Sequence, residues 1–182
     1  MILGITGKMG SGKTTVANYL LENDFIKINF KDALIKEIKN NFPDLLLEIS
    51  KLYNNLSIDD LFLLKPPLTR KLLQNYGTNV RRNDDLKYWI KSWEKSIKEE
   101  KKNVVADDVR FLNEAAAVRK YGGKILKIVG GGINNSDHQS ETEMDLIEPD
   151  YIIYNNSDIE ELISRVNRLM KEVKPLDKRL KV

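Results

Sequence analysis

The stretch GKMGSGKT, residues 7–14, limits what this chain can fold into more than any other. It sits between MILGIT, whose apolar run Ile2–Thr6 reads as a buried strand, and TTVANYLLEN, which reads as an amphipathic helix. Gly7, Gly12, Lys13 and Thr14 complete the pattern G-x-x-x-x-G-K-[ST]. Glycines at this spacing let backbone N–H groups turn inward into a concave anion nest. A helix that starts beside Lys13 aims the positive end of its dipole at the same point. The pattern therefore predicts a cradle for the polyphosphate of a nucleoside triphosphate, built from Gly7, Lys8, Met9, Gly10, Ser11, Gly12, Lys13, Thr14 and Thr15. Lys13 is placed to neutralise charge on the β- and γ-phosphates, and Thr14 to offer its hydroxyl to Mg2+. The bland alternative is an ordinary glycine turn. The strand before the loop and the helix after it count against that.

Four further apolar runs read as strands: FIKIN (25–29), NVVAD (103–107), KILKIV (124–129) and YIIY (151–154). NEAAAVRKY (113–121) reads as a helix stopped by Gly122 and Gly123, and 157–173 as a helix capped by Ser157 or Asp158. Repeated strand–loop–helix units with apolar strands predict an α/β fold of the P-loop NTPase type. Its five-stranded parallel sheet would lie in the middle of a three-layer α/β/α arrangement. Lys31 to Lys102 has helical periodicity, punctuated by Pro43, Pro66 and Pro67. That block is too long for a connection and reads as an insertion over one edge of the site. The expected organisation is a single domain over 1–182. Its core is 1–30 and 103–182, its helical insertion about 31–102, and its small lid about 130–149.

Composition narrows the chemistry. Lys and Arg total 30 against 27 Asp and Glu, for a net charge of +3. This near balance gives no argument for a nucleic-acid polymer or a membrane surface as partner. There is no cysteine and a single histidine, so disulfides, thiol catalysis and Cys/His metal sites are not expected. No apolar run approaches the roughly 20 residues of a membrane span, and Lys8 cuts the N-terminal apolar stretch too short for a signal peptide. These features read as a soluble, intracellular, cytoplasmic protein with small-molecule partners. A homodimer is left open.

Triphosphate chemistry needs a carboxylate near Mg2+ at the end of a neighbouring strand. NVVADDVRF supplies Asp107 and Asp108, and in a parallel sheet the C-terminal strand ends face the ligand. Arg110 follows closely enough to reach a phosphate. Within LTRKLLQNYGTNVRR, Arg70, Arg81 and Arg82 form a cluster whose guanidinium forks suit phosphate oxygens. Each of them could instead be a solvated helix residue. Trp89 could stack on a base or serve as core. A monophosphate acceptor is largely dianionic near neutral pH and needs alignment and charge neutralisation rather than a base. A hydroxyl acceptor wants a carboxylate base, for which Asp32 is the obvious candidate.

The blocks GITGKMGSGKTTVA, FKDALIKEI, LLQNYGTNVRR with YWI downstream, VVADDVRFLNEA, YGGKILKI and DHQSE together resemble the deoxynucleoside monophosphate kinases of bacteriophages and related viruses. They run in that family's order from Gly4 to about Val166. The resemblance implies ATP-dependent phosphoryl transfer to a deoxynucleoside 5′-monophosphate, giving the diphosphate. It also implies the nucleoside monophosphate kinase fold, with a helical acceptor-binding insertion and a lid, and, for a viral protein, the host cytoplasm. By position it makes Lys13, Asp108 and Arg110 the catalytic set, and Thr14 and Asp108 the Mg2+ ligands. Asp32, Arg82 and Arg110 would lie near the acceptor or its phosphates, and His138 and Glu141 match the H-x-S-E block.

The chain departs from such kinases in one respect. No Lys or Arg occurs between residues 130 and 150, where a lid arginine is expected. Charge in the transition state must then be met by Lys13, Mg2+, Arg110, Arg119 or the insertion's arginines. Two other readings stand beside the first. One is a hydroxyl-acceptor kinase resembling dephospho-coenzyme A kinases, and the other a nucleotide-dependent switch without transfer activity.

Overall fold

The computed structural model describes residues 1–82, 85–131 and 143–173, Arg82 by its backbone alone. The chain divides into two compact units, Met1–Lys27 with the chain from Lys101 onward, and Ile28–Glu100.

In the first unit, β1 (Ile2–Thr6), β2 (Phe25–Lys27), β3 (Asn103–Ala106), β4 (Lys124–Val129) and β5 (Tyr151–Tyr154) form one five-stranded sheet. Every pairing is parallel and the order is β2-β3-β1-β4-β5. The central strands read as continuous apolar runs because both their faces are covered. Leu3 and Ile5 point to one face, where α1 (Lys13–Leu21) and α8 (Ile159–Val173) pack through Val16, Leu20, Leu162 and Val166, all at most 2% exposed. Gly4 points to the other face, where a Cβ would lie 2.9 Å from Ile125 Cδ1 and 3.2 Å from Val118 Cγ2 of α7 (Leu112–Lys120). These are the three expected layers. β2 ends at Lys27, two residues before the end of its apolar run, because Asn29 turns to donate its N–H to Asp32 Oδ2 at 2.7 Å. Asp158 is the cap of α8, its Oδ1 accepting from Glu161 N at 2.8 Å.

The second unit is helical: α2 (Lys31–Asn41), α3 (Pro43–Leu52), α4 (Ile58–Leu64), α5 (Pro67–Gln74), a π-helical stretch Asn75–Arg82, and α6 (Tyr88–Ile97). Pro43 and Pro67 open their helices, where a missing N–H costs nothing. Its core gathers Leu34, Ile38, Leu46, Phe62, Tyr76 and Trp89. Among the described residues no helix is long and apolar enough to cross a membrane.

One ionic cluster ties this unit together. Glu37 accepts hydrogen bonds from Tyr76 Oη at 2.7 Å, from Tyr88 Oη at 3.2 Å and from Arg81, whose guanidinium also lies over both tyrosine rings. Burial alone would push the Glu37 carboxyl up, but these three donors and the Arg81 charge hold it below its ordinary 4.5. A depressed carboxylate stabilises the folded state above its unfolded pKa, and that stability is lost as pH falls through the folded value. Both tryptophans, Trp89 and Trp93, lie in this unit, so intrinsic fluorescence reports on it. The expected result is a thermal midpoint by fluorescence that drops below about pH 4.5, with a shallower drop in Glu37→Gln. Equal slopes in the two proteins would count against the cluster's role.

Candidate active site

The sheet order decides where the loops meet. β1 lies between β3 and β4, and all strands point the same way, so the loops after Thr6, Ala106 and Val129 leave from one edge. The segment after β5 leaves from that edge too.

The glycine loop has the backbone its sequence predicts. Gly7, Gly10 and Gly12 have φ of +139°, +80° and +102°, conformations that side chains rarely adopt. Gly7 also lacks room, since a Cβ there would lie 2.3 Å from the Ile128 carbonyl oxygen. Lys13, the first residue of α1, donates from Nζ to Lys8 O at 2.7 Å and to Gly7 O. Its ammonium therefore already lies across the loop. Ser11 is 1% exposed, and among the described residues neither its Oγ nor Thr6 Oγ1 has a hydrogen-bond partner. A buried hydroxyl left unpartnered within the glycine loop fits a phosphate oxygen. Thr14 is exposed in the first turn of α1.

The β3 end supplies the carboxylates. Asp107 is 6% exposed and accepts from Lys27 Nζ at 3.0 Å, an ion pair that neutralises it in place. Asp108 is half-buried beside it. Among the described residues no three His, Cys, Asp or Glu side chains converge on a metal-sized site. Thr14 with one carboxylate suits Mg2+, which usually takes one or two protein ligands and completes its shell with phosphate and water. Arg110 is half-buried, and its backbone N–H is fixed by the buried Glu114 carboxylate at 2.8 Å.

Arg119 does not serve this site. It sits at the end of α7 and donates to Glu148 O, with Asp150 Oδ2 at 3.7 Å, beside the start of β4 and so at the opposite edge of the sheet. His138 and Glu141, and most of the 130–149 stretch, lie outside the described residues. Where that stretch returns, Asp145 pairs with Lys8 of the glycine loop and lies 4.0 Å from Lys127.

In the helical unit, Asp32 is exposed, with one oxygen engaged by Asn29 N–H. Arg70 is half-buried on α5 and makes no ion pair among the described residues. Arg81 is held by Glu37, Tyr76 and Tyr88 and so anchors the π-helical stretch. Stacking of Trp89 on a base is corrected by the structure. Trp89 is 4% exposed, lies edge-on to Tyr88 and donates Nε1–H to Gly77 O at 2.9 Å, so it is core. Of Arg82, only the backbone at the end of the π-helical stretch is described.

The sequence reading missed Lys27, Asp145 and Asn155. Asn155 donates from Nδ2 to Ser11 O at 3.0 Å. The signal for it was available, because it follows a strand whose C-terminal end faces the site.

Comparison with known proteins bears on this geometry. A model of the deoxynucleotide monophosphate kinase family matches residues 66–166. An Acanthamoeba polyphaga mimivirus protein named "Putative deoxynucleotide monophosphate kinase" is 34% identical over 186 residues, 91% of this chain and 94% of that protein. The chain belongs to the deoxynucleotide monophosphate kinase family. As a member of that family it is a kinase. The family model covers α5, the π-helical stretch, the Asp107–Asp108 turn and most of α8, but not the glycine loop. A dephospho-CoA kinase of Fusobacterium nucleatum is 26% identical over 193 residues, 95% of this chain and 98% of that enzyme. The crystal structure of TT1252 from Thermus thermophilus matches with a TM-score of 0.50 at 17% identity, over 95% of this chain and 97% of that one, a likeness of fold.

Proposed function

We propose that this kinase transfers the γ-phosphoryl group of ATP to a deoxynucleoside 5′-monophosphate, giving ADP and the deoxynucleoside diphosphate. The observation that carries the reading is the turned glycine loop with Lys13 across it, in a chain of this family. An oxygen of the acceptor phosphate attacks the γ-phosphorus, the bond to the β–γ bridging oxygen breaks, and ADP leaves with the electron pair.

The loop amides other than that of Ser11, which donates to Lys8 O at 3.2 Å, hold the β-phosphate, and Ser11 Oγ adds a donor. Lys13 exchanges its carbonyl partners for β- and γ-phosphate oxygens and follows the charge as it moves. Thr14 and Asp108 would hold Mg2+, which would supply charge neutralisation for the β- and γ-phosphates. Asp108 is taken over Asp107 because it is the acid of the D-V-R-F block. Arg110, two residues after Asp108, would meet the transferring group, since no Lys or Arg occurs from 130 to 150. Arg70 and Arg82 bind the acceptor phosphate, and Arg81 positions the stretch that carries Arg82. On this reading the partners are small molecules, ATP and a deoxynucleotide, met in the cytoplasm.

The Fusobacterium match favours one second reading, a hydroxyl acceptor. It would need Asp32 as base, and one oxygen of that carboxylate is engaged with its own turn. ADP release with a panel of deoxynucleoside monophosphates and with dephospho-CoA separates the two. Turnover is expected with at least one deoxynucleotide, and turnover with dephospho-CoA alone would overturn the reading. Arg82→Ala should raise the acceptor KM by about 10-fold or more, as loss of a charge-assisted bond implies, with little change in the KM for ATP. An equal rise in both would remove the acceptor role of Arg82.

A further inference from the structure

We propose that Asn155 is a positioning residue for the glycine loop, its side-chain amide fixing the Ser11–Gly12 peptide so that the Gly12 N–H faces the polyphosphate. The inference rests on the reading of that loop as a phosphate cradle. A trans peptide is planar and carries its C=O and N–H on opposite sides. Whatever holds the Ser11 carbonyl therefore also aims the Gly12 N–H. Asn155 Nδ2 donates to Ser11 O at 3.0 Å. The approach is close, since a Cβ on Gly12 would lie 2.8 Å from that same Nδ2. Gly12 is thus glycine for two reasons, its φ of +102° and the amide pressed against it.

Asn155 is itself held from several directions. Its backbone N–H donates to Val129 O at 2.7 Å, carrying the β4–β5 pairing one step beyond Tyr154. Gly130 crosses its carbonyl so tightly that a Cβ there would lie 2.0 Å from Asn155 O. Arg165 of α8 donates to Tyr154 O and, at 3.0 Å, to Asn156 Oδ1, fixing the residues on either side. The sheet therefore sets Asn155, and Asn155 sets a peptide of the nest. Orientation of donors before the ligand arrives is what makes such a nest effective.

The test uses Asn155→Asp, nearly isosteric but with an acceptor facing the Ser11 carbonyl, and Asn155→Ala as a second variant. Inorganic tripolyphosphate and ATP are each titrated in competition with a fluorescent ATP analogue, and the KM for the acceptor is measured alongside. The expected result is parallel weakening of tripolyphosphate and ATP, about 10-fold in Asn155→Ala and about 100-fold in Asn155→Asp, following the costs of a lost bond and of an opposed carboxylate. The acceptor KM stays within a factor of about two of the wild type, as a local effect requires. If ATP weakens while tripolyphosphate does not, Asn155 contacts the nucleoside rather than setting the nest, and the proposal is overturned. A loss of acceptor affinity equal to the loss for tripolyphosphate overturns it too, as general damage. A wild-type protein that binds tripolyphosphate yet phosphorylates no deoxynucleotide defeats the proposed function instead, and the Asn155 comparison is still read from tripolyphosphate.

Discussion

Lys13→Ala is expected to lower kcat by about 1,000-fold or more, a loss of roughly 4 kcal/mol of transition-state stabilisation. In the structure the ammonium bridges Gly7 O and Lys8 O, so the loop holds it over the nest before any substrate arrives. Its charge is needed most when the γ-phosphoryl group is between donor and acceptor, and no Lys or Arg between residues 130 and 150 can substitute. The loss should fall mainly on kcat, with a smaller rise in the KM for ATP, because the loop amides still bind the β-phosphate. Lys13 is half-buried at the start of α1 and outside the apolar core, so the melting temperature should change little. Steady-state kinetics beside a thermal melt checks both halves. A variant within a few-fold of wild-type kcat would remove Lys13 from the chemistry.

Gly7→Ala is expected to have the second largest effect, this time on both folding and nucleotide binding. Its φ of +139° is strained for any other residue, and the added Cβ would meet Ile128 O, backbone at the end of β4, at 2.3 Å. Backbone of a central strand cannot step aside as a side-chain tip can. A cost of about 3 kcal/mol or more follows, or a drop in Tm of about 10 °C for a domain of this size. Gly122→Ala is the control. Gly122 also has positive φ, +73°, but nothing lies within 4 Å of its would-be Cβ, so it carries strain alone, about 1–2 kcal/mol. If both variants melt alike, the tight contact under Gly7 is not what the loop depends on.

What the sequence disclosed was local chemistry. β1, β4 and β5 run as their apolar stretches predict, because glycine and polar residues bound them sharply. The nest was legible because only glycine tolerates its dihedral angles. The parts that stayed hidden depend on partners far along the chain. Arg81 looks like a phosphate ligand until Glu37, 44 residues earlier, is seen to hold it. Trp89 looks like a platform for a base until Gly77 O is seen to accept its N–H. The π-helical stretch around Gly77 has no signature of its own. It arises where Gly77 packs so close to Leu34 that a Cβ would sit 2.8 Å from Cδ2. Asn155 reaches Ser11 across 144 residues, so its place just after β5 marks it as near the site but not as the partner of that carbonyl.

The destination of the γ-phosphate tests the account most directly. ATP labelled on that phosphate is incubated with Mg2+, the protein and a deoxynucleoside monophosphate, and the products are separated. The label is expected in the β-phosphate of a deoxynucleoside diphosphate, formed in step with ADP and abolished in Lys13→Ala. Label recovered only as inorganic phosphate, or only on dephospho-CoA supplied in the same mixture, would contradict the account.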